Sequence, residues 1–111
     1  MVDAAAIAEI RLCVEVGDYE IDKEHTDFHM FDEGFTLEQA IQVVVSGVVI
    51  EADTRRNRWL FCGMVPGMRQ EIRFRGRWLH VCVERDDDTG VAIVTMYRPL
   101  VRLWRTERDR W

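Results

Sequence analysis

The chain lacks any apolar run approaching the ~18 residues that a bilayer-spanning helix requires, so no membrane partner is expected. It is poor in cysteine. Cys13, Cys62 and Cys82 are odd in number and form no Cys-x-x-Cys pair, which argues against a disulfide framework and for reduced thiols in a cytoplasmic protein. No internal repeat, low-complexity segment or long linker breaks the chain. The Ala-rich N-terminus carries Asp3 and Glu9 where a secretory leader would be positive, so a signal peptide is not expected. Lysine is absent beyond Lys23, and the second half of the chain is cationic through arginine alone.

What is present fits one domain over residues 1–111. A chain of this length buries roughly two thirds of its unfolded surface in a single core, and four Trp and five Phe supply large side chains for it. Charge is divided sharply. Residues 1–52 hold 12 acidic and 2 basic side chains, a net of −10, whereas residues 53–111 hold 8 acidic side chains and 13 Arg, a net of +5. Such a dipolar molecule either presents one face to an anionic partner or pairs its two halves internally.

Helices are predicted first and strands afterwards. Ile7, Ile10 and Val14 recur at helical spacing behind Asp3 as N-cap, and Gly17 ends that helix, giving an N-terminal helical unit over residues 1–17. Residues 18–22 read as a connector or edge strand. Phe28 and Phe31 point to a short second helix over 24–33. Thr36-Leu37-Glu38-Gln39 is a capping box opening a helix with Leu37, Ile41, Val44 and Val45 on one side, closed by Ser46-Gly47. Strands are predicted at Val48–Ile50 and Trp59–Cys62, with Pro66-Gly67 marking a loop. A β-hairpin then turns at Asp86–Gly90 between Gly76–Val83 and Val91–Pro99. The expected architecture is α+β: two or three N-terminal helices on one face of an antiparallel sheet, closed by a C-terminal hairpin.

Candidate chemistry centres on that hairpin. On the first strand Leu79, Val81 and Val83 face the helices, so Trp78, His80 and Cys82 face the other way, where His80 is expected to be accessible. An imidazole with an ordinary pKa serves as general acid or base at neutral pH. A symmetric register about the turn sets His80 opposite Met96, Leu79 opposite Tyr97, and Trp78 opposite Arg98 in cation–π distance. His80, Tyr97 and Arg98 are therefore the candidate catalytic residues, against the plainer reading of a histidine that only bonds its neighbours.

The arginines extend the site. Arg73, Arg75 and Arg77 alternate along one strand edge, while Arg55, Arg56 and Arg58 cluster in a turn. Guanidinium forks suit phosphate oxygens and Trp78 or Trp59 could stack a base, so Arg55, Arg58, Arg73, Arg75, Arg77 and Trp78 are candidate RNA contacts. Alternating Arg also simply keeps a strand edge soluble. His25 and His29 share a helix face at i and i+4. Thr26 stands where a zinc-hydrolase helix has Glu, and no third ligand is placed beside them, so neither a metal nor a cofactor is expected.

Several strings together resemble a known family: Ile10-Arg11, Gly17-Asp18-Tyr19, His25 to Met30, Gly34-Phe35-Thr36, Gly76 to Val81, and Thr95-Met96-Tyr97-Arg98-Pro99. Their order and spacing resemble the small bacterial domain-of-unknown-function family 4258 over residues 10 to 99 of this chain. The resemblance implies an α+β core over 18–99 related to RelE/ParE and BrnT toxin folds, with ribonuclease-like activity or an antitoxin partner. This chain departs from the pattern by carrying His29 and Glu33 where the family has Arg.

The segment 100–111 reads as a basic, aromatic tail. Pro99 is expected to open a helix with Leu100, Leu103 and Trp104 on one side, either covering the protein's own sheet or forming a homodimer contact. Three functions follow as expectations: a metal-independent, toxin-like domain contacting or cleaving RNA; a non-catalytic protein-interaction module; and a metal-binding protein using His25 and His29.

Overall fold

Asp3 organises the first helix by accepting hydrogen bonds from the Ala5 and Ala6 amides, both at 3.1 Å, which satisfies two donors left free at a helix start. In the computed structural model, which describes residues 3–22, 34–65, 78–99 and 103–110, this helix is α1 (Ala4–Glu15). Gly17 ends it in the left-handed region at φ +84°, and the Asp18 amide returns to the Cys13 carbonyl at 2.8 Å. The second helix, α2 (Leu37–Ser46), opens on the expected capping box. The Gln39 amide donates to Thr36 Oγ1 at 3.2 Å and the Thr36 amide donates to Gln39 Oε1 at 2.8 Å. The short helix expected over 24–33 lies outside the described residues.

Five strands form one sheet, the first lying between the two helices in the chain: β1 (Glu20–Ile21), β2 (Val48–Asp53), β3 (Arg58–Met64), β4 (Trp78–Asp86) and β5 (Gly90–Tyr97), in the order β1-β5-β4-β3-β2. Strands β2 to β5 run antiparallel to their neighbours, but β1 pairs with β5 in parallel. The sheet is therefore mixed, which corrects the expectation of a wholly antiparallel one. A tight hairpin forces antiparallel pairing; β1 and β5 are joined by most of the chain and carry no such constraint. Among the described residues no helix is long and apolar enough to cross a membrane.

Both helices cover one face. Ile10 and Val14 from α1, Val43 and Val44 from α2, and Phe61, Leu79, Val81, Val83 and Ile93 from the sheet form the buried core. The period of two along β4 selects Leu79, Val81 and Val83 for this face, as expected.

The hairpin turn is also as expected. The Asp86 carboxylate accepts from the Asp88 and Thr89 amides at 2.7 and 3.2 Å, and Gly90 supplies φ +88°. The register starts symmetrically, with Asp86 opposite Gly90 and Val83 opposite Ile93, and then shifts. Cys82 pairs with Thr95, which leaves Val94 as a bulge, so that Val81 faces Met96 and His80 faces Tyr97. The expected pairing of His80 with Met96, Leu79 with Tyr97 and Trp78 with Arg98 is thereby corrected. The physical reason is burial. Without the bulge Met96 would project away from the helices, whereas the extra residue turns it into the core, where it is fully buried, and sends Tyr97 to the opposite face.

That opposite face is covered by the tail. Residues 103–110 form turns and bends joined by a bridge between Trp104 and Arg110, so the expected continuation as a helix is not seen over these residues. Thr106 explains the turn: its hydroxyl accepts from the Arg108 and Asp109 amides, competing locally with a helical path. Trp104 is 1 % exposed and packs with Leu60, Ile50, Trp78, Cys82 and Tyr97.

Gly47 joins α2 to β2 where a side chain cannot fit, because a Cβ there would meet the Val43 and Cys62 carbonyl oxygens, the latter at 2.5 Å. Gly47→Ala is expected to lower the stability by about 3 kcal/mol, since backbone and not a flexible side chain must yield. Urea denaturation of the two proteins measures this directly.

Candidate functional site

His80 projects from β4 onto the face turned away from the helices, as period two requires, but it is 0 % exposed. The expectation of an accessible imidazole is corrected, and the cause is the tail. Trp104 stands edge-on to the His80 ring with centroids 4.4 Å apart, and Tyr97 closes the neighbouring side at 5.4 Å. The Glu107 carbonyl lies 2.6 Å from His80 Nε2. A carbonyl only accepts, so Nε2 carries the proton and donates it, leaving Nδ1 as the unprotonated nitrogen. Nδ1 is buried and has no hydrogen-bond partner among the described residues.

This geometry fixes the electrostatics. Burial of the ring, opposed by the Glu107 carbonyl, lowers the His80 pKa from 6.5 to about 4. A second donor, the Cys62 thiol, reaches the same carbonyl at 3.5 Å, and burial pushes that thiol up to about 12. Tyr97 is likewise raised to about 12 by burial, against the pull of Arg110. At neutral pH all three groups are therefore uncharged, protonated donors packed under the tail. They suit a structural clasp better than acid–base exchange with a substrate.

Arg110 completes the clasp. Its guanidinium lies over the Trp104 ring, 4.3 Å from the centroid, and grips Glu51 on β2 with Nε at 2.7 Å and Nη2 at 3.1 Å. Beside it opens a cleft of about 230 Å³ lined by Glu51, Arg56, Arg58, Cys82, Thr95 and Tyr97 among others.

The remaining candidates are dispersed or paired. Arg98 is half-buried just past β5, and the ladder ends at the His80–Tyr97 pair. Trp78 is half-buried and belongs to the cluster around Trp104. Arg58 donates to Glu84 at 3.0 Å, and Arg56 approaches Asp53 at 3.8 Å in the turn that also exposes Arg55. Arg73, Arg75, Arg77, His25 and His29 lie outside the described residues. Of the expected catalytic set, the structure brings together His80 and Tyr97. Among the described residues no three His, Cys, Asp or Glu side chains converge as ligands for a metal ion.

The residues missed by sequence reasoning are Glu107, Arg110 and Glu51. A backbone carbonyl has no residue signature, so the Glu107 contact could not be read. The charge division did carry a signal for the third and second, because Arg110 of the basic half pairs with Glu51 of the acidic half. Comparison of the chain with protein-family models, curated proteins and solved structures finds no match.

The lowered pKa of His80 has a consequence for stability. Unfolded, the imidazole protonates near 6.5; folded, only near 4, so between these values the unfolded chain binds more protons. The full contribution is present above pH 6.5 and is lost as pH falls toward 4, about 3 kcal/mol in all. His80→Gln, which keeps a donor but does not titrate, is expected to remove that part of the acid sensitivity when urea midpoints at pH 7 and pH 4.5 are compared. Trp104→Ala is expected to cost about 4 kcal/mol by emptying the same cluster, measured at neutral pH.

Proposed function

We propose that this domain is a non-catalytic protein-interaction module. The observation that carries this reading is the state of His80: the group that an acid–base mechanism would need is sealed beneath Trp104 with its proton committed to the Glu107 carbonyl. A general base must reach the proton it removes, and a pKa near 4 leaves little affinity for that proton at neutral pH.

The arginines support the same reading. Arg56, Arg58, Arg85, Arg105 and Arg110 each face a carboxylate, namely Asp53, Glu84, Glu9, Asp109 and Glu51. An RNA backbone would have to displace these internal partners before gaining phosphate contacts, and a net charge of −5 offers little long-range attraction. The toxin-like nuclease suggested by the family resemblance is thus the weaker alternative. An interaction module, by contrast, needs only a stable scaffold and an unpartnered surface, and the sheet clasped on both faces supplies the scaffold.

Expression of the wild type and of His80→Gln in a bacterial host tests the choice. Both are expected to permit normal growth with intact total RNA. Growth arrest with RNA loss in the wild type, abolished by His80→Gln at equal protein level, would contradict the reading.

A further inference from the structure

Helix α1 is apolar on two sides. Its inner side, with Ala6, Ile10 and Val14, is buried in the core. Its outer side carries Leu12 at 61 % exposure, and Val16 follows just past its end at 68 %. An apolar groove beside it runs between the helix and the edge strand β2, lined by Ala4, Ile7, Ala8, Arg11, Val48 and Val49. Val48 is 40 % exposed. Ala8, Leu12 and Val16 are spaced by four, so the groove leads into one continuous ridge along the helix. A helix facing water normally carries polar residues on that side, and an apolar surface that joins a groove to a ridge marks an interface.

The shape and charge of this surface select its occupant. Addition of a strand to β2 is disfavoured, because the register of β2 on β3 breaks between Val49 and Glu51 and the strand ends in acidic residues, two devices that blunt an edge. A helix, whose side chains fill grooves between ridges, fits instead. The flanks are acidic: Asp3, Glu9 and Glu15 on and around α1, with Asp18 beyond it. Glu9 is held by Arg85 at 2.7 Å, but Glu15 and Asp18 form no ion pair among the described residues. Arg11, the one cation lining the groove among the described residues, is turned to the Gly47 carbonyl at 2.8 Å and lies over Phe61.

Resting on the reading of an interaction module, we propose that the α1–β2 groove docks an amphipathic helix of a partner protein, apolar on its contact side and bearing Lys or Arg on its flanks. A second copy of this chain fits poorly. Two α1 helices face to face would oppose their acidic flanks, and the described part of the basic tail is held on its own sheet through Trp104 and Arg110.

The test uses the full chain and two synthetic amphipathic helical peptides with the same Leu/Ala stripe, one flanked by Lys and one by Glu, followed by fluorescence anisotropy. The Lys-flanked peptide is expected to bind. Leu12→Gln with Val16→Gln should weaken it roughly tenfold, and Glu15→Lys with Asp18→Lys should weaken it and flatten its salt dependence. Met64→Gln, a change at an exposed apolar residue elsewhere, should leave it unaltered. Circular dichroism confirms that each variant is folded. Failure of both peptides to bind, equal binding of the Glu-flanked peptide, or indifference to the Leu12/Val16 pair would overturn the proposal. So would a dimer of the chain alone that the same pair abolishes. Loss of binding in Met64→Gln only would overturn the α1 assignment while the interaction module stands. RNA cleavage dependent on His80 would remove the module reading itself.

Discussion

One hydrogen bond, from the fully buried His80 Nε2 to the half-buried Glu107 carbonyl, ties the segment 103–110 to the middle of the sheet, and much of the outer face depends on it. His80 is fully buried at its end of the bond, where an unmade donor would cost about 1–3 kcal/mol. Trp104 provides that burial. Burying a side chain of its size removes roughly 200 Å² from water, worth about 5 kcal/mol at most. Arg110 then closes the tail from outside by stacking on Trp104 and gripping Glu51. Packing, hydrogen bond and ion pair reinforce one another, because each places the partners of the next.

The clasp changes the chemical meaning of the hairpin. A histidine opposite a tyrosine, with arginines nearby, is the inventory of a metal-free nuclease, yet inventory does not determine reactivity. Burial moves His80 down and Cys62 and Tyr97 up, so each holds its proton state across neutral pH. In an open cleft an imidazole titrates near 6.5, where acid–base catalysis needs it. The buried environment of His80, Cys62 and Tyr97 holds the tail to the sheet, while on the opposite side of the molecule α1 leaves Leu12 and Val16 in solvent.

Local rules were legible in the residues. Asp3, Gly17, the Thr36–Gln39 box and Gly47 marked helix ends because each acts through its own backbone or a neighbour three or four residues away. The alternation Leu79-Val81-Val83 marked the core face of β4 for the same reason. What escaped required comparison across the chain. The bulge at Val94 has its signal in the apolar spacing Val91-Ile93-Met96, two and then three, which a symmetric register overlooks. The parallel strand Glu20–Ile21 is too short to declare its partner. Period two puts His80 on the face where it lies, but its burial depends on Trp104, and covering the sheet is only one of two outcomes open to an apolar tail.

The clasp requires His80 to be a neutral, Nε2-protonated donor inside the fold, and imidazole nitrogen NMR across a pH titration, with His80→Gln identifying the resonances, tests this most directly. An Nε2–H tautomer that persists below pH 5 and protonates only near pH 4 is expected. Titration near 6.5, or a population of the Nδ1–H tautomer at neutral pH, would contradict it and return the hairpin to consideration as an accessible acid–base site.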